Sequence, residues 1–82
     1  MKRKHRSQNT QDKVAVILEK IITRRKKLKI TQADLASQLN ISLSGYFKIE
    51  KGNNKLDIYR LIEITEILQI DLGSFFKGRD KQ

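Results

Sequence analysis

The chain has 82 residues, the size of one small domain, with 18 Lys+Arg against 9 Asp+Glu and a formal net charge of +9. It holds no cysteine, which excludes a disulfide frame and a thiolate metal site, and one histidine, His5, which alone makes neither a metal site nor a catalytic triad. No apolar run reaches membrane-spanning length and none follows the basic start as a secretion signal requires, so elimination points to a soluble cytoplasmic protein with no cofactor.

Residues 1–9 carry Lys2, Arg3, Lys4 and Arg6 and no apolar residue after Met1, and read as a disordered basic arm. The arm has two readings. One is a solubilising leader; the other is a segment that tracks phosphates or enters a minor groove. A folded domain is expected over residues 10–76 and a frayed tail over 77–82. The first helix is predicted over residues 10–27, with Val14, Ile17, Leu18, Ile21 and Leu28 inward and Glu19, Lys20, Arg24 and Lys27 mostly outward. Its last turn, Arg24-Arg25-Lys26-Lys27, complements the helix dipole, which by itself explains the run.

One device then repeats. Each predicted N-cap has an apolar residue before it and another five positions after that: Ile30/Leu35 around Thr31, Ile41/Tyr46 around Ser42, Leu56/Leu61 around Asp57, and Ile70/Phe75 around Asp71. These are hydrophobic-staple spacings, and they predict helix starts near residues 31, 42, 57 and 71. With the first helix that makes five, and nothing reads as a strand. Asn40 is a residue that tolerates the left-handed conformation at a helix end, and Gly52 is placed to end the third helix. The third helix buries Tyr46 and Ile49. The fourth, residues 58–68, puts Ile58, Leu61, Thr65 and Leu68 on one face; Ile62, Ile64 and Ile67 widen that stripe beyond what one small core needs. The fifth is short, near residues 72–76.

Charge is unevenly spread. Residues 1–55 carry 14 basic and 4 acidic side chains, net +10, whereas residues 56–76 carry Arg60 against Asp57, Glu63, Glu66 and Asp71, net −3. A basic front with an acidic back suits a chain that meets a polyanion on one side.

The stretch Thr31-Gln32, Leu35-Ala36, Ile41-Ser42 and Ile49-Glu50-Lys51-Gly52 resembles the helix-turn-helix of the Cro/phage-repressor (Xre-like) family of DNA-binding domains. The likeness covers about residues 12–76. It implies an all-α, compact, five-helix lambda-repressor-like domain whose second and third helices form the motif. It implies double-stranded DNA as partner, with the third helix in the major groove. Carried over, Ser42, Leu43, Ser44, Phe47 and Lys48 lie at the DNA, Thr31 and Gln32 at phosphate, and Lys51, Asn53, Asn54 and Lys55 hold the backbone on the far side. Gln32 also braces the recognition helix. Arg25 pairs with Glu50 and ties the first helix to the third. Members commonly pair through the far end, which implies a homodimer face including some of Tyr59, Ile62, Ile67, Phe75 and Phe76; ordinary core is the other reading of that apolar surplus.

The sequence departs from the family at three points. Leu43 and Phe47 make only apolar contacts, for example with thymine methyls, where relatives often carry Gln, Arg, Ser or Thr. Gly45 lies inside the third helix and either lets Tyr46 seat or lets backbone approach DNA. Lys29 stands where many relatives have glycine, so a locally different joint is expected.

The favoured function is a dimeric sequence-specific regulator, a small repressor or autoregulator on a near-palindromic operator. The alternative is an antitoxin-type or accessory subunit whose main partner is a protein at the fourth and fifth helices. An enzyme is not expected: the chain has no Gly-rich phosphate loop and no clustered carboxylates in a plausible cleft. A membrane-surface helix would leave the motif unexplained and needs an apolar face already used by the core.

Overall fold

The computed structural model describes residues 8–53 and 56–77, with backbone alone at 76 and 77. Helices α1 (Gln8–Lys27), α2 (Gln32–Gln38), α3 (Leu43–Lys51) and α4 (Ile58–Leu68) are followed by a single helical turn, α5 (Ser74–Lys77), and the described residues include no strand.

The joints between these helices share one plan. Each of α1 to α4 closes on a left-handed residue: Lys29 (φ 62°), Asn40 (φ 61°), Gly52 (φ 80°) and Gln69 (φ 57°). The next residue's N–H reaches back five positions, from Ile30 to Arg25 C=O (3.1 Å), Ile41 to Ala36 (3.0 Å), Asn53 to Lys48 (2.9 Å) and Ile70 to Thr65 (2.9 Å), which satisfies carbonyls that a helix end leaves open. After α1 and α2, the isoleucine that closes one helix immediately precedes the cap of the next. Lys29-Ile30-Thr31 and Asn40-Ile41-Ser42 are therefore the same three-residue corner: a left-handed residue, an apolar anchor packed on the core, and an N-cap hydroxyl. Lys29 keeps the left-handed turn that the sequence suggested it would abandon. Two bonds around it, Lys29 N–H to Lys26 C=O (3.0 Å) and the Ile30 bond, hold the strained residue in place.

The caps at Thr31, Ser42 and Asp57 form. Thr31 Oγ1 accepts from Asp34 N–H (2.9 Å) and Asp34 accepts from Thr31 N–H (3.4 Å), a reciprocal box. Ser42 Oγ accepts from Gly45 N–H (2.9 Å) and Asp57 Oδ1 from Arg60 N–H (2.7 Å). Asp71 does not cap a helix. After it the chain first closes a turn, Ser74 N–H to Asp71 C=O (2.9 Å) and Phe75 N–H to Leu72 C=O (3.1 Å), and the helical turn begins only at Ser74.

The core is formed by Leu18, Ile21, Leu35, Ala36, Leu39, Tyr46, Ile49, Ile64, Leu68 and Phe75, with Ile17, Leu28, Ile30, Ile41, Leu56, Leu61, Ile67, Ile70 and Leu72 packed against it. Three expectations change here. The core takes up α1 only from Ile17 onward, so Val14 is exposed, and the helix itself starts at Gln8, two residues earlier than read. On α4 the expected Leu61, Thr65 and Leu68 do face inward and Ile64 joins them, but Ile58, six residues before Ile64, is 65% exposed. Phe75 is a core residue, not a surface for another chain, because the 71–74 turn folds its ring back onto the bundle.

Two cations of α1 expected to point mostly outward, Lys20 and Arg24, are half-buried and tie this end together. Arg24 Nε donates to Leu68 C=O (2.8 Å) and its Nη2 to Gln69 C=O (3.5 Å), placing a positive charge on the carbonyl end of α4. Lys20 Nζ donates to Ser74 C=O (3.0 Å) and lies 5.8 Å from the centre of the Phe75 ring. No helix among the described residues is long and apolar enough to cross a membrane.

Candidate nucleic-acid interface

The orientation of α3 depends on one buried carboxylate. Glu50 Oε2 accepts from Arg25 Nε (2.7 Å) and from the Tyr46 hydroxyl (2.5 Å); Oε1 accepts from Gln32 Nε2 (2.8 Å) and Arg25 Nη2 (3.2 Å). Arg25 Nη1 continues to Ile30 C=O (3.0 Å) at the corner into α2. The ion pair is almost dry, with side-chain exposures of 8% for Arg25 and 5% for Glu50. One residue from α1, one from α2 and two from α3 thus meet at a point, and among the described residues no buried side-chain polar atom is left without a partner. A buried pair is not by itself a large source of stability, but its hydrogen bonds set direction, and removing one partner strands the other.

Burial pushes the Glu50 carboxyl up, yet the hydrogen bonds from Arg25, Tyr46 and Gln32 outweigh it and hold the group below its ordinary value. Burial and then the bond to Glu50 push the Tyr46 hydroxyl up. The hydrogen bond to Glu50 raises Arg25 against the opposing effect of burial. All three therefore keep their neutral-pH forms: carboxylate, phenol and guanidinium.

What this node presents outward is the rest of α3. Leu43, Ser44, Phe47, Lys48 and Lys51 are all exposed, Leu43 by 51% and Phe47 by 47%. Lys51 Nζ stands 5.5 Å from the centre of the Phe47 ring. Thr31 and Ser42 are exposed at their helix starts with their hydroxyls accepting backbone N–H groups. Gln32 is half-buried, its amide already donating to Glu50. Asn53 is exposed just past α3. Asn54, Lys55 and the basic arm through residue 7 lie outside the described residues. Gly45 finds a local reason: a Cβ there would stand 3.2 Å from the Ser42 hydroxyl, so its absence leaves the cap room.

The second surface lies on α4. Tyr59 is 81% exposed and, with Ile58 and Ile62, leaves an apolar strip in the open. Ile67 is half-buried against the core, Phe75 is inside it, and the Phe76 side chain falls outside the described residues. Of the five residues assigned to a dimer face, Tyr59 and Ile62 are therefore open, and Ile58 joins them. Helical spacing put Ile58 inward, and nothing in the sequence marked it as open, since nearly every apolar position of α4 could have faced inward. The structural use of Arg24 was also missed: nothing local in the sequence marks a side chain that meets carbonyls 44 and 45 residues away.

A helix-turn-helix family model matches residues 21–75. Over 58 residues the chain is 34% identical to YqaE of Bacillus subtilis (strain 168), described as an uncharacterised HTH-type transcriptional regulator; the match covers 71% of this chain and 50% of that protein. Over 56 residues it is 34% identical to the cryptic phage CTXphi transcriptional repressor RstR of Vibrio cholerae serotype O1, covering 68% of this chain and 50% of that one. The chain spans about half the length of these curated relatives. No solved structure matches it. The matched span contains α2, α3 and α4 entire, and the chain belongs to the Cro/C1-type helix-turn-helix family.

Proposed function

We propose that this chain is a sequence-specific, double-stranded DNA-binding regulator, a small repressor or autoregulator of the cytoplasm, that binds a near-palindromic operator as a homodimer. The observation that carries the reading is the exposed side of α3: Leu43, Ser44, Phe47, Lys48 and Lys51 stand free on a helix whose opposite side is locked by Glu50. Such a helix enters the major groove with its first turns at base edges. Thr31, Gln32 and Ser42 lie at two helix starts, where backbone N–H groups favour phosphate. Lys51, Asn53, Asn54 and Lys55 hold the backbone beyond, each lysine adding affinity and salt dependence with little sequence information. The basic residues ahead of Gln8 keep two readings, a solubilising leader or a segment that tracks phosphates.

The exposed Ile58, Tyr59 and Ile62 support pairing of two copies through α4, which sets two half-sites about one helical turn, ~10 base pairs, apart. The same strip supports a second reading, an accessory or antitoxin-type subunit that holds another protein there.

Selection of duplexes from a randomised pool, followed by fluorescence anisotropy at ~0.15 M salt, tests the first reading. A two-fold-symmetric motif with that spacing is expected. Salt-sensitive binding without an enriched sequence, together with a second protein co-purifying with the chain, would favour the accessory role instead.

A further inference from the structure

The outward side of α3 offers DNA few polar groups that tell one base pair from another. Gln32, on α2, spends one amide N–H on Glu50 (2.8 Å), and the Ser42 hydroxyl accepts from Gly45 N–H (2.9 Å), which leaves Gln32 one N–H and its oxygen and leaves Ser42 one O–H to donate. Ser44 bonds several base edges alike, and Lys48 is a point charge on a flexible stem. What α3 does present is carbon. Leu43 and Phe47 are four residues apart, so their side chains neighbour one another on the helix surface, and each is about half exposed. Lys51, four residues further on, places its ammonium 5.5 Å from the Phe47 ring centre, a favourable contact that restrains the ring without covering the pair.

The major groove displays one apolar group, the methyl on C5 of a pyrimidine; guanine, adenine and unmodified cytosine present none. We propose that Leu43 and Phe47 together read the C5 methyl of pyrimidines, so that operator positions facing them carry thymine and 5-methylcytosine serves there as well. Binding to a site with cytosine at such a position is then switched by methylation of that cytosine. The surroundings select DNA as the occupant of this apolar pair. Lys48 and Lys51 flank it, complementary to phosphate, whereas the strip on α4 is bordered by Asp57, Glu63 and Glu66. The inference rests on the DNA-binding reading above and adds what the site recognises.

The test uses the full chain and the duplex recovered by selection. Thymines are replaced one at a time by deoxyuridine, which removes only the methyl, and the same positions are then filled with cytosine or 5-methylcytosine opposite guanine. Affinity is expected to fall about four-fold at one or two thymines per half-site, the worth of one buried carbon. It is expected to rise by a similar factor from cytosine to 5-methylcytosine at those positions. The Leu43→Ala/Phe47→Ala chain should lose both discriminations while keeping its melting temperature and its salt dependence; the single variants each lose one position if the double variant melts early. Equal affinity for thymine and uracil throughout overturns the inference and leaves the DNA-binding reading standing. So does discrimination that survives in the variants. Failure to enrich any sequence overturns the DNA-binding reading itself, and this inference with it.

Discussion

Helices α3 and α4 each leave apolar residues in solvent, Leu43 and Phe47 on one, Ile58, Tyr59 and Ile62 on the other. Their surroundings differ in sign. The α3 pair is set among Ser44, Lys48 and Lys51, and the α4 strip among Asp57, Glu63 and Glu66, with Arg60 drawn to Glu63 (2.9 Å) and to Leu39 C=O (3.2 Å). Exposed carbon framed by lysines suits a polyanion with methyl groups in a groove; exposed carbon framed by carboxylates repels that polyanion and suits a protein surface. The two helices are also held differently. Both pack an apolar face on the core, but α3 adds one buried carboxylate with four hydrogen bonds, whereas α4 adds cations on backbone carbonyls, Arg24 on its own last turn and its Arg60 on Leu39.

The largest effect is expected from removing the carboxylate. Glu50→Ala strands Arg25 and Tyr46 and should destabilise the fold by about 3–5 kcal/mol. In a domain this small that lowers Tm by more than ~10 °C. An unchanged melt would show that α3 is held by packing alone. Acid gives the reversible version. The Glu50 carboxyl titrates below its ordinary value in the folded chain, so its stabilisation is complete above the usual carboxylate range and is lost as pH falls through that lowered value. Thermal melts should therefore fall below about pH 4, and the Glu50→Gln chain should fall less over the same interval.

Ile62→Asp should separate the two faces. Sedimentation is expected to shift from dimer to monomer, with operator affinity falling at least ~10-fold near the dimer dissociation constant while Tm moves little. Lys48→Ala is the counterpart: dimer retained, binding weakened, and the slope of log affinity against log salt reduced by about 1. A dimer that survives Ile62→Asp would remove α4 from the interface. The smallest effect is at the corners. Lys29→Gly relieves a left-handed lysine and should stabilise by up to about 1 kcal/mol, whereas Asn40→Gly, where asparagine already tolerates that conformation, should change little.

The corners mark how far the sequence was legible. Thr31, Ser42 and Asp57 were readable as caps, because a hydroxyl or carboxylate followed by helical periodicity is a local signal, and so were the apolar partners that clamp each start. The left-handed half of the same corners was legible at Asn40 and Gly52. It was hidden at Lys29 and Gln69, where an ordinary residue is held at positive φ by bonds that only the assembled turn supplies. Arg25 and Glu50 were paired through a family resemblance rather than through any local pattern, and they meet at 2.7 Å.

Local chemistry in the sequence places the helix starts at Thr31, Ser42 and Asp57, the apolar residues that anchor those entries, and a basic front ahead of an acidic segment; the starts of α1 and α5 lie at Gln8 and Ser74, away from where capping chemistry pointed. Tertiary packing decides what lies beyond local reach: that Ile64 rather than Ile58 completes the inward side of α4, that Phe75 belongs to the core, and that Arg24 meets the carbonyls of Leu68 and Gln69. Those choices turn on contacts between residues far apart in the chain. In α4, where seven of eleven residues in IYRLIEITEIL are apolar, periodicity permits several rotations and packing against α1 selects one.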